Sequence, residues 1–133
     1  MAQQLVLDLQ HRPALGRDDF LVGGSNAAAV QLIDDWPNWP VRAAVLVGPP
    51  GSGKSHLGEV WRQRSGALLV SATEICVERV PDVLSLGVAL VEQIDRGVLQ
   101  EKALFHLLNY AREMDGHVLF YGSGLAFARR CVA

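Results

Sequence analysis

One short stretch constrains this chain more than any other. Residues 48–55 read GPPGSGKS and satisfy the pattern G-x-x-x-x-G-K-[ST] at every fixed position. That pattern needs a buried strand before it and a helix after it. Residues 42–47 (RAAVLV) are small, apolar and β-branched, without polar alternation. They predict a strand covered on both faces, as in a parallel sheet. Residues 54–64 predict the helix.

The residue types suit a chain of phosphates. Gly51 and Gly53 lack a Cβ, so the loop can reach unusual dihedrals and turn N–H groups inward. Gly48, Pro49, Pro50 and Ser52 complete the loop, and the following helix N-terminus adds unpaired donors and partial positive charge. Lys54 is the side chain that reaches β- and γ-phosphates, the Ser55 hydroxyl is a Mg²⁺ ligand, and His56 follows in the first turn.

The remaining composition narrows the classes. A chain of 133 residues, half apolar and one-fifth charged (50% and 20%), predicts one domain with a real core. A net charge of −2 gives no basic excess for nucleic acid, and no direct DNA binding is expected. Cys76 and Cys131 form neither a metal spacing nor a disulfide framework and read as free thiols in a reducing cytoplasm. No apolar run is long enough for a membrane span, and residues 1–10 lack the marks of a signal peptide.

In chain order, residues 1–12 form a leader expected to be flexible. In it Leu5, Leu7 and Leu9 alternate after Gln4, so an extended segment would present them on one side. Two readings stand: an edge strand of the same domain, or a peptide for a partner's groove. Residues 11–24, with Pro13, Gly16, Gly23 and Gly24, read as loop. Ser25 or Asn26 caps a helix ending before Pro37, and Trp36 and Trp39 read as packing anchors. Residues 67–71 predict a second strand, 74–81 a short helix stopped by Pro81, and 87–92 a third strand ending on Glu92. A carboxylate there lies on the ligand edge of an open α/β sheet, where it can hold Mg²⁺ through water. Residues 99–114 predict the clearest helix, with Ala103, Leu104, Leu107, Leu108 and Ala111 on one stripe; His106 and Asn109 lie off its centre. Residues 117–121 predict a fourth strand.

Several separated stretches resemble the DnaA/Hda-like AAA+ P-loop ATPase family. Residues 20–27 (FLVGGSNA) resemble in spirit its N-terminal box, F-x-x-G-x-S-N-x-x-A. The loop continues into His56 and Leu57, as in the family's G-K-[ST]-H-L; residues 69–74 (LVSATE) resemble its second strand, and residues 104–109 (LFHLLN) its helix before sensor 1. The likeness covers about residues 1–120. It implies an α/β, three-layer P-loop NTPase of AAA+ type, with residues 13–121 as a partial core. It implies adenine recognition around Leu21 and Val22, ATP or ADP on the loop residues, and Mg²⁺ at Ser55 and Glu92. The leader resembles the family's motif for the DNA polymerase sliding clamp, Q-L-x-L-x-L. Gln4 would enter a small polar pocket while Leu7 and Leu9 fill an apolar one, and Leu5 belongs to the same partner-binding stretch. DnaA and the clamp are the implied partners, and inactivation of DnaA in replication initiation is the implied role.

The chain departs from the family in two places. Gln93 stands where the second acid is usual, and an amide cannot take a proton from water as a carboxylate does; Asp95 could substitute in part. Binding is therefore expected to exceed hydrolysis. Residues 122–133 do not match what should follow, and the fifth strand, arginine finger and helical lid with sensor 2 are expected to be missing, by truncation or frameshift. In the family's strand order this would leave residues 42–47 on an edge open to self-association. Two other functions compete: a clamp-binding module with structural nucleotide, and a small P-loop phosphotransferase.

Overall fold

The structure, a computed structural model, describes residues 20–49, 51–92 and 101–122. Its elements are β1 (Phe20–Gly23), α1 (Asn26–Asp35), β2 (Ala43–Val47), α2 (Lys54–Ser65), β3 (Leu68–Ser71), α3 (Val80–Val83), β4 (Val88–Glu92), α4 (Glu101–Glu113) and β5 (His117–Gly122). The five strands form one sheet in the order β1-β2-β5-β4-β3, and every neighbouring pair is parallel. Parallel neighbours need crossover connections, and helices supply them.

The sheet has a helical layer on each face. Ala43, Val45, Val91, Val118 and Phe120 form one core with Leu104, Leu107, Leu108 and Ala111 of α4. Ala44, Leu46, Leu90 and Leu119 point the other way, into a core with Ala29, Leu32 and Ile33 of α1 and Trp61 of α2. Successive residues of β2 therefore serve opposite cores, as strand geometry requires. This explains why residues 42–47 read as continuously apolar. Each fully buried Leu or Phe contributes about 1.5–3 kcal/mol by removal from water.

The ends of the helices follow local chemistry. Ser25 caps α1 by accepting from the Ala28 N–H at 3.1 Å. Gly66, with φ 78°, closes α2 in the left-handed conformation that glycine adopts without strain. The α4 stripe is buried as the spacing predicts.

Three expectations are corrected. Residues 20–23 are a strand, not loop. They pair with β2 from Phe20↔Ala43 to Gly23↔Leu46. Four residues ending in glycine are too short for periodicity to expose, and the pairing lies far off in sequence. As a result β2 is not an edge: β1 covers one side and β5 the other, so β1 occupies the place expected to be vacant. Finally, Pro81 does not stop a helix over 74–81. Two 3₁₀ turns (Ala72–Glu74 and Val77–Arg79) lead into α3, with Pro81 in its first turn, where a missing N–H costs nothing. Among the described residues no helix is long and apolar enough to cross a membrane. Gln4, Leu5, Leu7, Leu9, Pro50, Gln93, Asp95, Cys131 and residues 123–133 lie outside the described residues.

Candidate functional site

The glycine-rich loop leaves the C-terminal end of β2 and enters α2 at Lys54. Its base is tied down by the Gly48 N–H, which donates to the Gly122 carbonyl of β5 at 3.3 Å. The glycines serve two different purposes. Gly51 (φ 85°) and Gly53 (φ 90°) hold left-handed backbone, and a Cβ at either would meet nothing within 4 Å. Conformation, not space, requires glycine there. Gly48 is the reverse: a Cβ would fall 2.7 Å from Ser52 Oγ and 3.1 Å from Lys54 Nζ. Its bare Cα leaves room for two polar side-chain atoms above the loop.

Both atoms matter. Ser52 Oγ is buried and has no hydrogen-bond partner among the described residues. Lys54 is only 6% exposed, and its ammonium donates to Asn26 Oδ1 at 3.0 Å. Among the described residues no carboxylate pairs with it. A buried ammonium with a single neutral acceptor is short of counter-charge. Helix α2 adds to this field. Its N-cap is Gly53, which offers no side-chain cap, and its first turn holds no acid. The free N–H groups and positive dipole end therefore face the loop uncompensated.

At the same C-terminal edge of the sheet, one strand beyond β5, β4 ends on Glu92, which is half-buried. Tyr121 of β5 donates its hydroxyl to Glu92 Oε1 at 2.9 Å. Burial, then the bond to Glu92 and the charges of Glu92 and Glu59, push the Tyr121 pKa up to about 12, so the phenol remains a donor at neutral pH. The Tyr121 ring also packs on α2: a Cβ at Gly58 would lie 3.3 Å from its Cδ2. Tyr121 thus connects the acid at the sheet edge to the helix that starts at the loop.

The remaining expected residues are dispersed in character. Pro49, Ser55 and His56 are exposed. Leu21 is half-buried against the α1–α2 core, and Val22 is 37% exposed on β1. No group of three His, Cys, Asp or Glu side chains able to hold a metal occurs among the described residues. A Mg²⁺ ion needs less, because phosphate and water fill most of its shell; Ser55 and Glu92 fit that donor set.

The arrangement suits binding of an anion with several charges. The sequence around Ser25 shows a helix cap, but nothing in its spacing ties Asn26 to Lys54, 28 residues away. The bond from Tyr121 to Glu92 depends on β4 and β5 being neighbours, which their separation along the chain does not reveal. Cys76 is a free, exposed thiol. Compared with protein-family profiles, with curated proteins and with solved structures, the chain finds no match in any of the three.

Proposed function

We propose that this chain binds ATP or ADP on the loop that contains Gly48, Pro49, Pro50, Gly51, Ser52, Gly53, Lys54 and Ser55. The observation that carries the reading is Lys54: a buried ammonium with a neutral partner, beside an orphaned Ser52 hydroxyl and an uncapped helix N-terminus. A polyphosphate supplies the missing counter-charge and accepts from all three. Bound Mg²⁺ would neutralise phosphate charge, with Ser55 and Glu92 as its protein-side residues. Tyr121 keeps one Glu92 oxygen occupied and leaves the other for a metal-bound water.

The finer proposal is a DnaA/Hda-like AAA+ protein in the cytoplasm that regulates replication initiation. Its support is the resemblance of residues 20–27, 48–57, 69–74 and 104–109, in that order along the chain. On this reading Gln4, Leu5, Leu7 and Leu9 tether the protein to the sliding clamp, and Leu21 and Val22 lie against adenine. Gln93 in place of a second acid makes it a binder with weak hydrolysis or none.

Titration of the purified chain with labelled ADP and ATP, with and without Mg²⁺, tests the first step beside Lys54→Ala. Binding by the native chain that falls at least tenfold in the variant supports the reading, the size of a lost charge-assisted hydrogen bond. Absence of binding by the native chain sinks it. Capture of DnaA and of the clamp by the native chain, with the clamp lost on Leu7→Ala, tests the second step.

A further inference from the structure

We infer that Asn26 is a positioning residue for Lys54: its side-chain oxygen holds the ammonium over the loop and stays bonded to it when phosphate arrives. The inference rests on the nucleotide reading and adds a residue and a coupling to it. Asn26 and Lys54 belong to different helices, and their side chains meet at 3.0 Å.

The meeting depends on how tightly α1 folds back on the sheet. A Cβ at Gly23 would fall 2.9 Å from Ala29 Cα and 3.0 Å from Leu46 Cδ2, so only glycine permits this approach of α1 to β1 and β2. Ser25 then fixes the first turn of α1 through the Ala28 N–H. Asn26, the first residue of that helix, is carried to the phosphate loop by these two restraints. Asn26 is not the helix cap, which leaves its amide free for another role.

The amide suits that role better than a carboxylate would. An ammonium has three donors, and one neutral acceptor occupies one of them, leaving two for phosphate oxygens. A carboxylate would neutralise the charge and repel the ligand. Lysine carries a flexible four-carbon stem, and holding it beforehand lowers the ordering cost of binding. The contact also joins the site to β1–α1, so loosening that unit weakens the hold on phosphate.

The test measures affinities of the full chain for ADP, inorganic pyrophosphate and adenosine, with thermal unfolding as a check on folding. Asn26→Ala is expected to weaken ADP and pyrophosphate about tenfold, the size of one hydrogen bond to a charged group, and to leave adenosine unchanged. Asn26→Asp, nearly isosteric, is expected to weaken pyrophosphate further. In a Lys54→Ala background, Asn26→Ala should cost nothing more, because its partner is gone. ADP affinity within twofold of native in Asn26→Ala overturns the inference. So does an equal loss for adenosine, or a full additional loss in the Lys54→Ala background. A native chain that binds neither ADP nor pyrophosphate overturns the nucleotide reading itself, and this inference with it.

Discussion

At the C-terminal edge of the sheet, polar side chains meet over a loop held open by glycines; at the N-terminal edge, three tryptophans close the structure. Trp39 stacks on Trp61 with ring centres 5.9 Å apart, Trp36 meets Trp61 edge-on at 5.8 Å, and His117 lies edge-on to Trp39 at 5.4 Å. Arg64 donates to the Ile33 and Trp36 carbonyls, covering the end of α1. Single glycines at the two ends meet different constraints. Gly51 and Gly53 have empty space where a Cβ would be, whereas a Cβ at Gly116 would meet the Gly87 carbonyl oxygen at 2.6 Å. Helix α2 links the two ends, with Lys54 in its first turn and Trp61 two turns on. One end is anchored by packing so that the other can hold unmatched polar groups, an expected division of stability and function.

Substitutions at the closed end should cost stability most. Trp61→Ala removes a side chain with no exposure from the centre of the cluster, and a loss of about 3–5 kcal/mol in urea unfolding is expected. A loss below about 1 kcal/mol would mean that the aromatic seal contributes little. Gly116→Ala is expected to cost about 1–3 kcal/mol, because the obstacle is backbone and cannot swing aside. ADP affinity of the folded Gly116→Ala protein should stay at the native value; a parallel loss of both would show that the two ends are not separable.

At the open end the balance should reverse. Tyr121→Phe removes one hydrogen bond to a half-buried acid that water can reach, so about 1 kcal/mol of stability is at stake. The larger change is expected in the gain that Mg²⁺ gives to nucleotide binding, because Glu92 loses the group that orients it. An unchanged Mg²⁺ dependence would remove Tyr121 from the site.

The smallest effect concerns pH. Burial, and then the Arg42 guanidinium, lower the His117 pKa below its ordinary 6.5, with Asp115 opposing. The unfolded chain therefore takes up a proton more readily than the folded one. The contribution is complete above the unfolded value and declines as pH drops through about 6.5 toward the folded value. Urea midpoints at about pH 7.5 and about pH 5.5 should differ less in His117→Gln than in the native chain. A larger difference in the variant would assign the acid sensitivity to other groups.

Legibility of the fold followed the range of the interactions. The loop, the strand before it and helices α2 and α4 are written in consecutive residues, and they appear where the motif and the three-four spacing place them. Glu92 at the end of β4 was legible for the same reason. Residues 20–23 were not: their strand character exists through pairing with β2, and FLVG alone supports a strand or a loop equally. The His117 environment was also hidden, because Trp36, Trp39 and Arg42 come to it from 75 or more residues away.

The sequence by itself determined the phosphate-loop pattern, the types of its flanking elements and the α/β class, because these depend on glycine, lysine and apolar residues at short, regular spacing. Tertiary structure alone decided that β1 flanks β2, that Asn26 holds Lys54, that Tyr121 holds Glu92 and that the tryptophans surround His117. Each of those contacts joins residues whose separation along the chain carries no periodic signal. They form because parallel pairing and close approach at Gly23 and Gly58 bring distant side chains within bonding reach.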